Sequence, residues 1–84
     1  MIEGALSFQT VPGLLTAKGD ALAKAGTLDL AAVTHVDSAG IALLLELRRR
    51  AAGQLTLTGA PPQMRALADF LGVSPLLGLE PSHA

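Results

Sequence analysis

The segment Asp37-Ser38-Ala39-Gly40 sets a carboxylate, a hydroxyl and a bare backbone position side by side. Three kinds of chemistry could use that arrangement. A serine with an oriented imidazole can act as a nucleophile. One at the start of a helix can accept from a first-turn N–H. One on a surface can touch a partner or carry a phosphate. The nucleophile reading fails on spacing. His35 sits three residues before Ser38 across a strand end, which supplies neither the hydrogen bond nor the third, orienting group. There is also no Gly-x-Ser-x-Gly elbow. The other histidine, His83, lies in a tail expected to fray. Two distant histidines, no cysteine and scattered carboxylates make no metal set, and glycine-rich phosphate motifs are missing. No enzyme activity, metal or cofactor is expected.

What remains is a helix start with a surface role. Ser38 has the chemistry of an N-cap, and Asp37 brings negative charge to the positive end of the helix dipole. Gly40 keeps the first turn bare, so another surface could approach closely. A phosphate on Ser38 would add about −1.5 to −2 charges there, drawn to free N–H groups but repelled by acidic groups on a partner. Capping alone also explains a serine before an apolar helix.

The elements that must position this segment alternate along the chain. Glu3 to Phe8 alternates as a half-buried strand does, with Leu6 and Phe8 on one face. Gln9-Thr10 offers a cap, Pro12 suits a first helical turn, and Val11, Leu14, Leu15, Leu22 and Ala25 follow at helical spacing. After Gly26 comes a short strand from Thr27 to Leu30, possible as far as Val33. A second helix runs from Ser38 to about Ala52, and Gln54 to Thr58 alternates again. Pro61-Pro62 opens a third helix carrying Met64, Leu67, Ala68 and Leu71, and a short final helix is expected in the tail near Leu76 and Leu77. Strands separated by single helices imply right-handed crossovers and a mostly parallel sheet. The expected fold is one small α/β domain over residues 1–84.

Composition narrows the partners. Charged residues make up 15% of the chain and its net charge is −1, which leaves no electrostatic footprint for nucleic acid or an anionic membrane. The longest apolar run, Ala39 to Leu45, falls far short of the roughly 18–20 residues that span a bilayer. No signal peptide is evident. A soluble, cytoplasmic protein with no direct membrane insertion is the expectation.

Three stretches together resemble the STAS domains (sulfate transporter and anti-sigma factor antagonist). They are Thr27-Leu28-Asp29-Leu30, His35-Val36-Asp37-Ser38-Ala39-Gly40-Ile41-Ala42-Leu43-Leu44, and Leu55-Thr56-Leu57-Thr58-Gly59. The resemblance runs from about Ala5 to Leu77 and implies two functions. In anti-sigma factor antagonists, the serine matching Ser38 is phosphorylated by a kinase that is itself the anti-sigma factor. In the Mla phospholipid transporter, a STAS-only subunit binds the cytoplasmic ATPase of an ABC complex, and the residue matching Ser38 is a contact site. The Leu-rich helix and Ala66-Leu67-Ala68-Asp69-Phe70-Leu71-Gly72-Val73 are similar to the second group. The leading expectation is therefore an ATPase-docking subunit, and the alternative is a phospho-regulated antagonist. The family's usual first strand has no counterpart before Ala5. The uncovered sheet edge this implies would invite pairing with a second copy of the chain.

The helix after Ser38 carries its own hint. At about 100° per residue, Leu43, Leu47, Ala51, Leu44, Ile41, Ala52 and Leu45 cover an arc of roughly 200°. Packing on one sheet face needs an apolar stripe of little more than about 100°. Either neighbouring helices and the tail cover the excess, or a partner does, with Leu43 the residue expected to point outward. Ser38, Asp37, Ala39, Gly40 and Leu43 are thus the candidate partner-binding residues. Arg48, Arg49 and Arg50 suit the negative end of the helix dipole, and as a contact they would suit acidic groups on a partner.

Overall fold

A computed structural model describes residues 2–79; Met1 and the tail with His83 lie outside the described residues. The order is β1 (Glu3–Leu6), α1 (Val11–Ala23), β2 (Thr27–Asp29), β3 (Ala32–Val36), α2 (Ser38–Arg50), β4 (Thr56–Thr58), α3 (Pro62–Phe70) and α4 (Ser74–Leu77). The expected small α/β domain with parallel pairing is what forms.

Two details differ from the expected single sheet. β3 is a strand of its own, because the chain turns after β2. There the Asp29 carboxylate accepts the Ala31 N–H at 2.9 Å, and the Leu30 carbonyl accepts the Val33 N–H at 3.1 Å. The strands also form two parallel pairs, β1 with β3 and β2 with β4. The Ile2 N–H reaches the Asp29 carbonyl across the gap at 3.4 Å. Gly4, at φ 78°, shifts the β1–β3 register before Ala5 and so re-aims the end of β1. The strand stops at Leu6, which is buried, whereas Phe8 falls in the following turn and is 77% exposed.

That turn is locally wired. The Thr10 hydroxyl accepts the Ser7 N–H at 2.9 Å and donates to the Ala5 carbonyl at 2.8 Å. Thr10 stands at the N-cap of α1, but its side chain makes no capping bond, being spent on the turn instead.

The core is aliphatic, as the scarcity of aromatics requires. Leu28, Leu30, Leu44, Leu47, Met64 and Leu77 are fully buried, while Phe70 at the end of α3 is 86% exposed. α2 lies in the middle, packed by α1, α3, α4 and β3. Ile41, Leu43, Leu44 and Leu47 all face inward and Leu45 and Ala51 are half-buried, so most of the wide apolar arc is covered within the chain. α4 is tied to α3 by the buried Ser74 hydroxyl, which donates to the Asp69 carboxylate. Two of the three arginines at the end of α2 are held by acids of the same chain, while Arg48 reaches the Gly53 carbonyl at 3.4 Å. Glu46 pairs with Arg49 at 2.7 Å and Arg50 at 2.8 Å, and Arg50 reaches Asp20 of α1 at 3.1 Å. Such exposed pairs contribute little individually.

Candidate functional site

The N-terminus of α2 meets the end of β1, and Asp37 joins them. Asp37, not Ser38, is the N-cap. Its backbone is extended (φ −120°, ψ −171°), and one carboxylate oxygen accepts the Ala39 N–H at 2.9 Å and the Gly40 N–H at 3.3 Å. Aspartate caps as well as serine does, and the chain leaves its strand one residue earlier than the Ser38 reading required. The other carboxylate oxygen accepts the Phe8 N–H at 3.0 Å, and the Asp37 N–H donates to the Leu6 carbonyl at 3.2 Å. One residue therefore grips both the helix and the β1–α1 turn.

Freed from capping, Ser38 occupies the first helical position and is exposed. Its hydroxyl makes no hydrogen bond among the described residues, with His35 or with any other group. Ala39 is half-buried. Gly40 is buried, and the surface that approaches it is the chain's own. A β-carbon there would collide with the Leu6 carbonyl oxygen and lie 2.7 Å from a Val36 methyl and 2.9 Å from Leu6 Cβ. Leu43, expected outward, is only 2% exposed, because the other helices pack around α2. It belongs to the core and leaves the docking surface.

The large apolar side chain that is exposed beside this helix end is Phe8. An open hollow of about 360 Å³ lies beside Asp37, lined by Ala5, Ser7, Phe8, Gln9 and His35 as well. A larger hollow of about 500 Å³ lies between β1 and α1 and excludes both Ser38 and Asp37. The signal for Phe8 was present in the chain: one of only two aromatics, directly before the Gln9-Thr10 helix start. Extending the strand alternation past Leu6 had assigned it to the core face.

Electrostatics follow from these bonds. The Phe8 N–H is the main influence holding the Asp37 carboxyl below its ordinary range; partial burial opposes it, and the Gly40 and Ala39 N–H groups and the nearby His35 add to the lowering. Glu46 is lowered further, from 4.5 to about 2, chiefly by hydrogen bonds from Arg49 and Arg50. A carboxyl lowered by folding stabilises the native state above its unfolded pKa, and that stabilisation is lost as pH falls through the folded value. Thermal melts should show a falling midpoint as pH drops from about 5 towards 2. An Asp37→Asn, Glu46→Gln double variant should show a flatter profile, and an unchanged slope would refute this assignment.

Among the described residues no group of three or more His, Cys, Asp or Glu side chains could hold a metal ion, and no helix is long and apolar enough to cross a membrane. The arrangement offers an exposed hydroxyl and an exposed aromatic ring, flanking a carboxylate whose bonds fix the turn and the helix. The family model described as "Mlab, STAS domain" matches residues 1–78. The chain belongs to the STAS-domain family. No curated relative and no solved structure matches this STAS domain. The match to the family model takes in both Phe8 and the segment from Asp37 to Gly40.

Proposed function

We propose that this STAS domain is a non-catalytic, cytoplasmic protein-binding subunit. In this reading it docks on the ATPase of an ABC-type, Mla-like phospholipid transporter that maintains outer-membrane lipid asymmetry, and it supports that ATPase. The observation carrying the reading is the pairing of an exposed, unbonded Ser38 hydroxyl with an exposed Phe8 at one corner, joined through Asp37. Aromatic side chains anchor protein interfaces, and truncating a central anchor commonly costs 2 kcal/mol or more, roughly 30-fold in affinity. The likeness to Mla subunits supplies the kind of partner.

Co-purification of the ATPase with the wild-type domain, Phe8→Ala and Ser38→Glu tests the proposal. Both variants are expected to lose most of the bound ATPase while keeping the wild-type circular dichroism spectrum. Undiminished capture by both variants would remove this corner from the interface.

One observation favours a second reading, an anti-sigma factor antagonist regulated by phosphorylation of Ser38. The hydroxyl is exposed and uncommitted, so a kinase could reach it without disturbing the fold. Mass spectrometry after incubation with a candidate anti-sigma kinase would reveal a phosphate on Ser38 under this reading, and an unmodified serine under the first.

A further inference from the structure

The hollow beside Asp37 contains a carboxylate that no lysine or arginine among the described residues pairs with. The two oxygens of a carboxylate offer about four lone-pair sites. At Asp37, Oδ1 takes the N–H groups of Ala39 and Gly40, whereas Oδ2 takes only that of Phe8. One site is left on Oδ2, and both Asp37 and Phe8 line the hollow. The bond from Phe8, above all others, keeps the carboxyl below its ordinary range, so it is charged at neutral pH. The α2 dipole offsets part of that charge and leaves the rest. An anion entering here would meet Asp37 and find the neighbouring backbone donors spent, the Phe8 N–H on Asp37 and the Ser7 N–H on the Thr10 hydroxyl. Apart from Asp37, His35 is the one titratable group that lines the hollow. The Phe8 ring is 77% exposed, and the face of an aromatic ring attracts a cation.

The geometry points to one occupant of this hollow: an arginine side chain of the partner protein, its guanidinium stacked on the Phe8 ring and donating to Asp37 Oδ2. A guanidinium is planar, carries five donors and no acceptor, and stacks on aromatic faces. An ammonium is a compact, strongly hydrated point charge and uses a ring less well. A further donor of the fork can go to the Gln9 side-chain carbonyl, since Gln9 lines the hollow and its side chain makes no hydrogen bond among the described residues. The inference rests on the proposed docking corner and adds what the partner presents to it. Phe8 then serves as a platform for a cation as well as an apolar contact. Arginine is among the residues that dominate binding energy at protein interfaces.

Substitutions at Gln9 change the charge of the hollow at an exposed, unbonded side chain and so leave the fold alone. In capture of the ATPase by the 84-residue chain at low salt, Gln9→Glu should tighten binding about threefold and Gln9→Lys weaken it about tenfold. Both differences should shrink in about 0.5 M salt. Phe8→Tyr keeps a ring and should bind within about twofold of wild type, while Phe8→Leu keeps apolar bulk without the ring and should lose about tenfold. Wild-type binding by Gln9→Lys overturns the inference, as does equal binding by Phe8→Leu and Phe8→Tyr. A second measurement needs no partner: the labelled domain is titrated with N-acetylarginine methylamide, with the lysine analogue, and with sodium chloride at equal ionic strength. The arginine derivative should shift the Phe8, Gln9 and Asp37 amide signals more than either control, and equal shifts overturn the inference whatever the ATPase does. If Phe8→Ala and Ser38→Glu weaken capture but the Gln9 variants do not alter it, the docking corner stands and the arginine falls. Arginine-specific shifts without any ATPase capture keep the cation site and remove the transporter partner.

Discussion

Gly40→Ala should destabilise the domain by about 3 kcal/mol, the upper end of the cost of overpacking a well-filled site. A methyl group at this position meets the Leu6 carbonyl oxygen, a backbone atom fixed by the β1–β3 pairing and by its bond from the Asp37 N–H. Relief requires α2 to lift off β1, which breaks the Asp37 contacts as well. Native stability for a chain of this length is roughly 4–13 kcal/mol, so such a loss removes a large share of it. Urea unfolding would register it as a lower midpoint with an unchanged slope. A Gly40→Ala variant as stable as the wild type would mean that α2 does not press on β1 as described.

Leu43→Ala should be comparably severe, about 2–5 kcal/mol, with a melting temperature lower by about 10 °C or more. The side chain is buried among helices, and its removal leaves a cavity that a helix packed by three others fills poorly. A docking residue at the same position behaves differently. Truncating an exposed leucine changes stability by no more than about 0.5 kcal/mol and shows itself in partner binding. Differential scanning calorimetry on the free domain separates the two, and a melting point within a degree of the wild type would return Leu43 to the surface.

How far the sequence reaches can be judged residue by residue. The helices were legible because their first-turn prolines and apolar periods agree: Pro12 in α1, the leucines of α2, Pro62 and Met64 in α3, and the Leu77 turn of α4 all fall where spacing places them. β3 was not legible. Ala-Val-Thr-His-Val has strand character, but the turn before it is made by an Asp29 side chain and not by a glycine or proline, so nothing punctuates it. The site was legible as a location, from Asp37 to Gly40. The division of labour within it was not, since serine and aspartate cap helices about equally well and only the strand's exit point chooses between them. The arc of α2 misled for a related reason: periodicity counts how wide an apolar face is, not how many neighbours share it. Phe8 was lost by continuing an alternation two residues past the end of its strand.

The two parallel strand pairs carry a consequence for how the chain reaches this state. Glu3 lies opposite Ala32 and Thr27 opposite Thr56, so each pairing closes a loop of about thirty residues before its first ladder bond forms. Among the described residues no hairpin offers a shorter route. α1 and α2 are the segments inside those two loops, and each must be at least partly formed to bring its flanking strands together. The bond between Phe8 and Asp37 closes a loop of the same size, so this corner, like the two ladders, can form only when parts of the chain distant in sequence have met.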